Sequence, residues 1–209
     1  DRAAARMRLL RHVCRIVSQV YQSQLAFAEK GHAGQAYLRE RGIRDETAKL
    51  FSLGFAPDSW EFLLRRAEAE IDEQAASAGL TPEKLPELLV ETGLLKQRSG
   101  TPAAGSSQEW YDVFRNRLIF PISRSDGAPI AFGGRLLRKE ANAPKYLNTS
   151  ESVLYAKRRS FYGLHQALPF VRKSRHVYLV EGYLDVLSMF QAGFPSTIAT
   201  CGTSVTADH

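Results

Sequence analysis

Val177-Tyr-Leu-Val180 is a continuous apolar run. Glu181-Gly182 follows it, then Tyr183-Leu-Asp185-Val-Leu-Ser-Met-Phe-Gln-Ala192, then Gly193. Four apolar residues bounded in this way predict a fully buried strand. The segment Leu184 to Ala192 predicts a helix with Gly193 as its stop, and Thr197-Ile-Ala199 a second strand. Together they form a βαβ unit. Glu181 then sits where a parallel strand gives way to a helix, which is where open α/β sheets place ligands. A carboxylate there can coordinate Mg²⁺ or act as a base, or it can simply be stabilised by the N-terminus of the following helix. Asp185, one turn on, could reach the same side or serve as a first-turn acid. The loop Cys201-Gly202-Thr203-Ser-Val-Thr206-Ala-Asp208 has small residues and hydroxyls ahead of an expected helix. It reads as a phosphate loop through Gly202 and Thr203, or as a capped turn with Thr206 or Asp208 at the cap.

Working back from this unit, Leu118-Ile-Phe-Pro-Ile122, the turn Ser125-Asp-Gly127 and Pro129-Ile-Ala-Phe132 predict a β-hairpin, with Lys145-Tyr-Leu147 as a third strand. Arg135, Lys145, Tyr146, Asn148, Lys157-Arg-Arg159 and Phe161-Tyr162 interleave cations, rings and an amide. Lys and Arg neutralise phosphates, and aromatic faces stack unpaired bases at ~1–3 kcal/mol each, so the stretch points to single-stranded nucleic acid. A solvated basic face over a sheet is the alternative. Gln97 to Gln108, rich in Ser, Gly, Ala and Pro, predicts an exposed mobile loop. Upstream of it, acid-rich helical segments span Glu61 to Ala78 and Pro82 to Thr92, the latter with its Pro in the first turn, and a short strand lies in Phe51 to Pro57. Before those come helices at Asp45 to Leu50 and at Gln35 to Arg41, the second stopped by Gly42. Met7, Leu10, Cys14, Val17, Tyr21 and Leu25 mark a long amphipathic helix ending near Gly31.

The charge is unevenly spread. Arg115 to Arg175 holds thirteen basic residues against three acidic, whereas Trp60 to Glu91 holds three against eight. Basic character thus belongs to one region, as a polyanion partner requires. Cys14 and Cys201 stand far apart and form no CxxC pair, so neither a disulfide framework nor a cysteine zinc site is indicated, and a reducing, cytoplasmic setting follows. The five histidines show no ligand spacing. No segment approaches the ~20 apolar residues needed to span a bilayer, so no membrane association is expected. The chain opens inside a helical pattern and stops at Asp208-His209 where a helix is expected to begin, which points to a piece of a longer protein.

An ordered set of strings carries a resemblance. These are Ala36-Tyr-Leu-x-x-Arg-Gly-Ile43, Phe51-Ser-Leu-Gly-Phe-Ala-Pro57 with Trp60, Glu91-Thr-Gly-Leu-Leu95, Tyr111-Asp-x-Phe-Arg-x-Arg-Leu-Ile-Phe-Pro-Ile122, Ile130-Ala-Phe-Gly-Gly-Arg135, Pro144-Lys-Tyr-Leu-Asn148, Tyr162-Gly-Leu164, Val180-Glu-Gly-Tyr-x-Asp-Val186 and Gly202-Thr-Ser-x-Thr-Ala-Asp208. In this order they resemble the catalytic core of bacterial replicative DNA primases, the DnaG family, over nearly the whole chain. The resemblance implies an α+β fold: a primase-core N-terminal, template-binding subdomain of helices and a small antiparallel sheet over residues 1–174, then the truncated start of a Toprim domain, a βαβ unit, over 175–209.

It also implies a nucleotidyltransferase that copies single-stranded DNA into a short RNA primer from ribonucleoside triphosphates during replication. Glu181 falls on the catalytic metal-ligating glutamate of Toprim and Asp185 on a further Toprim acidic position. Arg135, Lys145, Asn148 and Lys157 fall where the family contacts template or nucleotide phosphates. Mg²⁺ or Mn²⁺ is implied for the complete catalytic domain, whose later Asp-x-Asp does not occur in this chain. Zinc is implied only in an N-terminal module, and the replicative helicase as partner only through a C-terminal domain, both outside this sequence. Two other readings compete. Another Toprim enzyme would share Glu181-Gly182 but lack the Lys145-Tyr-Leu-Asn148 and Tyr162-Gly-Leu164 strings, and a stand-alone single-strand-binding module would use the basic sheet alone.

Overall fold

The computed structural model describes residues 2–27, 32–98, 109–138, 143–202 and 204–209. Its spine is helix α1 (Arg2–Ala26), whose Leu10, Val13, Cys14, Val17, Val20 and Tyr21 are buried while its arginines lie on the other side. Burial pushes the Cys14 thiol up to about 12, so it behaves as a small apolar side chain. Helices α2 (His32–Glu40) and α3 (Asp45–Leu50) follow, then strand β1 (Gly54–Ala56). Gly42, with φ +67°, makes the turn between α2 and α3.

The expected helix over Glu61 to Ala78 is broken into α4 (Leu63–Ala69) and α5 (Glu73–Ser77). Asp72 is the cause: its carboxylate accepts the Ala75 N–H at 2.8 Å and starts a new helix, a capping role that competes with helix continuation. Helix α6 runs Leu85–Glu91, with Pro86 rather than Pro82 in its first turn. Strand β2 (Leu95–Gln97) pairs antiparallel with β3 (Trp110–Asp112), so Gln97 ends a strand instead of opening a loop. Residues 99–108 of that expected loop lie outside the described residues, as does Gly31.

The expected hairpin is β4 (Arg117–Ser123) with β5 (Pro129–Leu136), flanked by β1 and by β6 (Tyr146–Asn148) in the order β1-β4-β5-β6. This sheet partitions two cores. On one side Ile119 and Phe132 pack with α1, α4 and α6; Tyr21 meets Phe132 edge-on at 6.1 Å. On the other, Leu118, Phe120 and Ile122 pack with Phe51, Tyr162, Tyr183, Val186 and Leu187. Alternation along β4 sends neighbouring side chains to opposite cores, so a strand covered on both faces reads as an unbroken apolar run.

Residues 157–159 form a 3-10 turn leading to β7 (Phe161–Tyr162), then α7 (Leu164–Ser174), β8 (Tyr178–Val180), α8 (Tyr183–Gln191) and β9 (Thr197–Thr200). Strand β8 is parallel to β9 across α8, which is the βαβ unit. Strand β7 adds antiparallel to the other edge of β9, so a strand preceding residue 174 shares a sheet with two that follow it. Sequence reading missed α7 because Gly163 precedes it and Pro169 interrupts its pattern. The expectation of full burial for Val177 to Val180 is also corrected. Val177, Tyr178 and Leu179 are 47%, 38% and 46% exposed, on a strand that pairs on one side only among the described residues. An apolar run records a need for cover and does not supply it.

Candidate nucleic-acid interface and carboxylate cleft

The antiparallel pairing of β5 with β6 sets Arg135 directly across from Tyr146. The Arg135 guanidinium lies 5.1 Å from the Tyr146 ring and 4.8 Å from the Tyr37 ring, and donates to the Tyr146 hydroxyl at 2.5 Å. Arg135 is buried, and its Nε has no hydrogen-bond partner among the described residues. A guanidinium clamped between two rings holds its charge in a fixed orientation. Tyr146 is half exposed on the edge strand, with the Lys145 ammonium 6.0 Å from its ring centre. Sequence reasoning named Arg135, Lys145 and Tyr146 as candidates but gave Tyr37 no role. Its signal was an aromatic one helical turn before Arg41, which lies 5.2 Å from its ring. Arg117 was also missed. It donates to the carbonyls of Gly134 at 3.1 Å and Pro144 at 2.9 Å, fixing the segment that carries Lys145.

Asn148 is turned inward. Its Nδ2 donates to the Cys201 carbonyl at 3.0 Å and its Oδ1 accepts the Tyr183 hydroxyl at 3.1 Å, so both ends of the amide are taken by the βαβ unit. Close approach here requires glycine. A Cβ on Gly133 would run into the Tyr183 ring and stand 2.9 Å from Asn148 Oδ1. Asn148 thus joins the β6 edge to the residue that precedes Gly202, which has φ +75°. Thr203 lies outside the described residues. Burial pushes the Cys201 thiol up to about 11 and also raises the Tyr183 hydroxyl, so neither adds negative charge at neutral pH.

Lys157 is half-buried in the 3-10 turn, with its N–H donating to Glu151 at 2.9 Å. The His209 Nε2 lies 3.1 Å from the Lys157 carbonyl, and the Thr206 hydroxyl donates to the Arg158 carbonyl at 3.4 Å. These contacts bring Lys157-Arg-Arg159 beside the loop after β9. His209 had no assigned role in the sequence, and nothing in its spacing revealed this one.

At the carboxyl ends of β8 and β9 an open cleft of about 750 Å³ is lined by Leu179, Glu181, Thr200, Gly202, Ser204 and Val205. Glu181 is exposed there. Asp185 instead accepts the Gly182 N–H at 3.1 Å through Oδ2, closing the first turn of α8. Among the described residues no group of three or more His, Cys, Asp or Glu could hold a metal ion. Hard divalent cations take six or more oxygen ligands, several of them carboxylate or water. One outward carboxylate does not make a complete site.

Comparison with known proteins matches residues 20–168 to the DNA primase catalytic core, N-terminal domain, and residues 175–209 to the Toprim domain. The DNA primase of Myxococcus xanthus is 38% identical over 190 residues, 90% of this chain and 28% of that protein. The RNA polymerase domain of Mycobacterium tuberculosis primase DnaG, in complex with a double-stranded DNA oligomer with a 6-nucleotide overhang, aligns with TM-score 0.79 at 30% identity, over 96% of this chain and 56% of that one. A DnaG primase catalytic domain bound to single-stranded DNA aligns with TM-score 0.78 at 31% identity, over 99% and 59% respectively. The chain spans under a third of the length of the curated relatives it matches. With a domain match over most of its length and relatives that align along nearly all of it, this chain belongs to the DnaG family of DNA primases, as the N-terminal part of the catalytic core together with the opening of the Toprim domain.

Proposed function

We propose that this chain is the template-holding portion of a primase that, in its complete form, makes short RNA primers on single-stranded DNA by metal-dependent nucleotidyl transfer. In this reading residues 1–174 hold the template and 175–209 open the catalytic domain. The observation that carries it is the Asn148 bridge, which sets an aromatic and cationic edge one side chain away from the loop and carboxylate at the ends of β8 and β9. Tyr146 offers a face to an unpaired base, Lys145 and Lys157 neutralise phosphates, and Arg135 fixes the ring of Tyr146 in place. Gly202 and Thr203 receive nucleotide phosphates.

Toprim membership implies use of a divalent metal. Glu181 would supply one ligand to Mg²⁺ or Mn²⁺, with further carboxylates from an Asp-x-Asp beyond this chain and water completing the coordination. Asp185 acts by holding the Glu181-Gly182 turn. Zinc and the replicative helicase belong to modules outside this sequence, and the setting is the cytoplasm. No helix among the described residues is long and apolar enough to cross a membrane.

The test is incorporation of labelled ribonucleotides on a single-stranded template with Mg²⁺ or Mn²⁺. It compares this chain, a version extended through the Asp-x-Asp, and the extended version carrying Glu181→Gln. Activity is expected only in the extended wild type. Full activity in the extended Glu181→Gln variant would make Glu181 structural, and primers made by this chain alone would contradict the division of labour. Lys145→Ala with Lys157→Ala is expected to weaken single-strand binding, and unchanged anisotropy titrations with folding intact would remove both from the interface.

A further inference from the structure

A basic cleft, of about 500 Å³, lies between α1 and the turn joining β4 to β5, lined by Arg8, Arg11, His12, Arg15, Gln74 and Pro129 among others. Arg8, Arg11 and Arg15 recur at three- and four-residue steps on one stripe of α1, spanning ~10 Å along the helix. Arg15 is held by Asp72 at 2.8 Å, and Asp126, the one acid of the lining, is held by Arg124 at 3.3 Å. Arg8 and Arg11 are exposed and, among the described residues, neither meets a carboxylate; Arg11 donates to the Met7 sulfur at 3.4 Å. The cleft therefore presents two uncommitted guanidiniums, a half-buried imidazole and a carboxamide.

This cleft is not continuous with the β6 edge. Phe132 faces α1, so Arg135, three residues on, faces the opposite side of the sheet. Pro129 and Arg135 also stand ~20 Å apart along β5. The two surfaces differ in chemistry as well. The β6 edge carries aromatic rings, whereas the lining of the α1 cleft has no aromatic side chain other than His12 and no large aliphatic one. Stacking of unpaired bases needs rings, and a peptide partner needs an apolar or aromatic anchor pocket. Guanidinium forks without rings match phosphate oxygens. Burial and the neighbouring Arg15 lower the His12 pKa, with Asp72 opposing, so the imidazole enters as a neutral hydrogen-bonding group at neutral pH.

We propose that the cleft between α1 and the β4–β5 turn binds the phosphodiester backbone of double-helical nucleic acid, without reading or stacking its bases. Its lining is independent of the residues assigned to single strands, so the two readings fail separately. The test is fluorescence anisotropy of the 209-residue chain with a labelled blunt duplex and with a labelled single strand, each titrated across a series of salt concentrations. Arg8→Ala with Arg11→Ala is expected to weaken duplex binding on the order of ten-fold and to reduce the salt slope by about two, one for each phosphate no longer neutralised. Arg8→Lys with Arg11→Lys is expected to keep the slope. Single-strand binding is expected to respond instead to Lys145→Ala with Lys157→Ala. Wild-type duplex affinity and slope in the folded Arg8→Ala, Arg11→Ala variant would overturn the proposal. Displacement of the duplex by polyglutamate at equal charge concentration would overturn it in favour of an acidic peptide, whereas resistance to polyglutamate supports it.

Discussion

Strands β4 and β8 carry the same texture in sequence, a short run of apolar residues, yet one is enclosed on both faces and both edges and the other is an exposed edge. In β4 every residue from Arg117 to Ile122 is buried, with β1 and β5 on its edges and a core on each face. Among the described residues β8 pairs with β9 alone, and Tyr178 and Leu179 remain open to solvent. An apolar run is therefore a statement of demand. Burial of such side chains contributes about 25 cal/mol per Å² of apolar area, but only where tertiary structure brings something to bury them against.

The largest expected effect sharpens this contrast. Phe120 packs at 5.9 Å from Tyr162 and 5.5 Å from Tyr183, so Phe120→Ala should cost about 3–5 kcal/mol in urea unfolding. Leu179→Ala should cost under about 1 kcal/mol, since half its surface is already in water. Equal losses would break the comparison and show β8 to be covered in solution.

A second expectation concerns Asp112, on the enclosed side. Burial raises its carboxyl to about 7 even though the Leu63 and Phe62 N–H groups, at 2.9 and 3.1 Å, favour the charged form. The folded-state pKa lies above the unfolded one, so the folded chain holds the proton more tightly. The stability this confers is fully present below the unfolded pKa near 3.8 and is lost as pH rises through about 7. The stability difference between wild type and Asp112→Asn should accordingly fall by about 1–3 kcal/mol between about pH 5 and about pH 8. A difference that is flat with pH, measured by denaturant titration, would mean the carboxylate is ionised throughout.

Asn148 joins the enclosed and open sheets. Asn148→Asp removes the donor to the Cys201 carbonyl, and it should cost about 1–2 kcal/mol and speed amide exchange in β9 and at residues 200–202 more than in β4. Uniform exchange across both sheets would show that the bridge does not separate them. The smallest effect is Leu179→Lys, expected to shift stability by no more than about 0.5 kcal/mol while reducing self-association of the exposed edge, as read by light scattering. Unaltered association would exonerate β8.

The βαβ unit, the hairpin, α1 and α3 were legible in sequence because each rests on local periodicity and punctuation: the four-residue run before Glu181, Ser125-Asp-Gly127 between two apolar segments, and the three- and four-residue spacing from Met7 to Leu25. The candidate residues Arg135, Lys145 and Tyr146 were legible for a similar reason, since cations interleaved with rings are a compositional signal. Other features were hidden. The break at Asp72 depends on a side chain competing with the backbone. Helix α7 is masked by Pro169. Strand β7 is two residues long and exists only because β9 lies beside it.

What sequence alone determined, then, is which residues need burial, which need a left-handed turn and where charge accumulates, because these follow from side-chain chemistry and short-range sterics. Tertiary structure decided who meets whom. It clamped Arg135 between Tyr37 and Tyr146 and turned Asn148 from the surface to Cys201 and Tyr183. It also put the α1 arginines on the opposite face of the sheet from Arg135. Those outcomes depend on contacts between residues tens of positions apart, whose free energies appear only once the two sheets and α1 have packed.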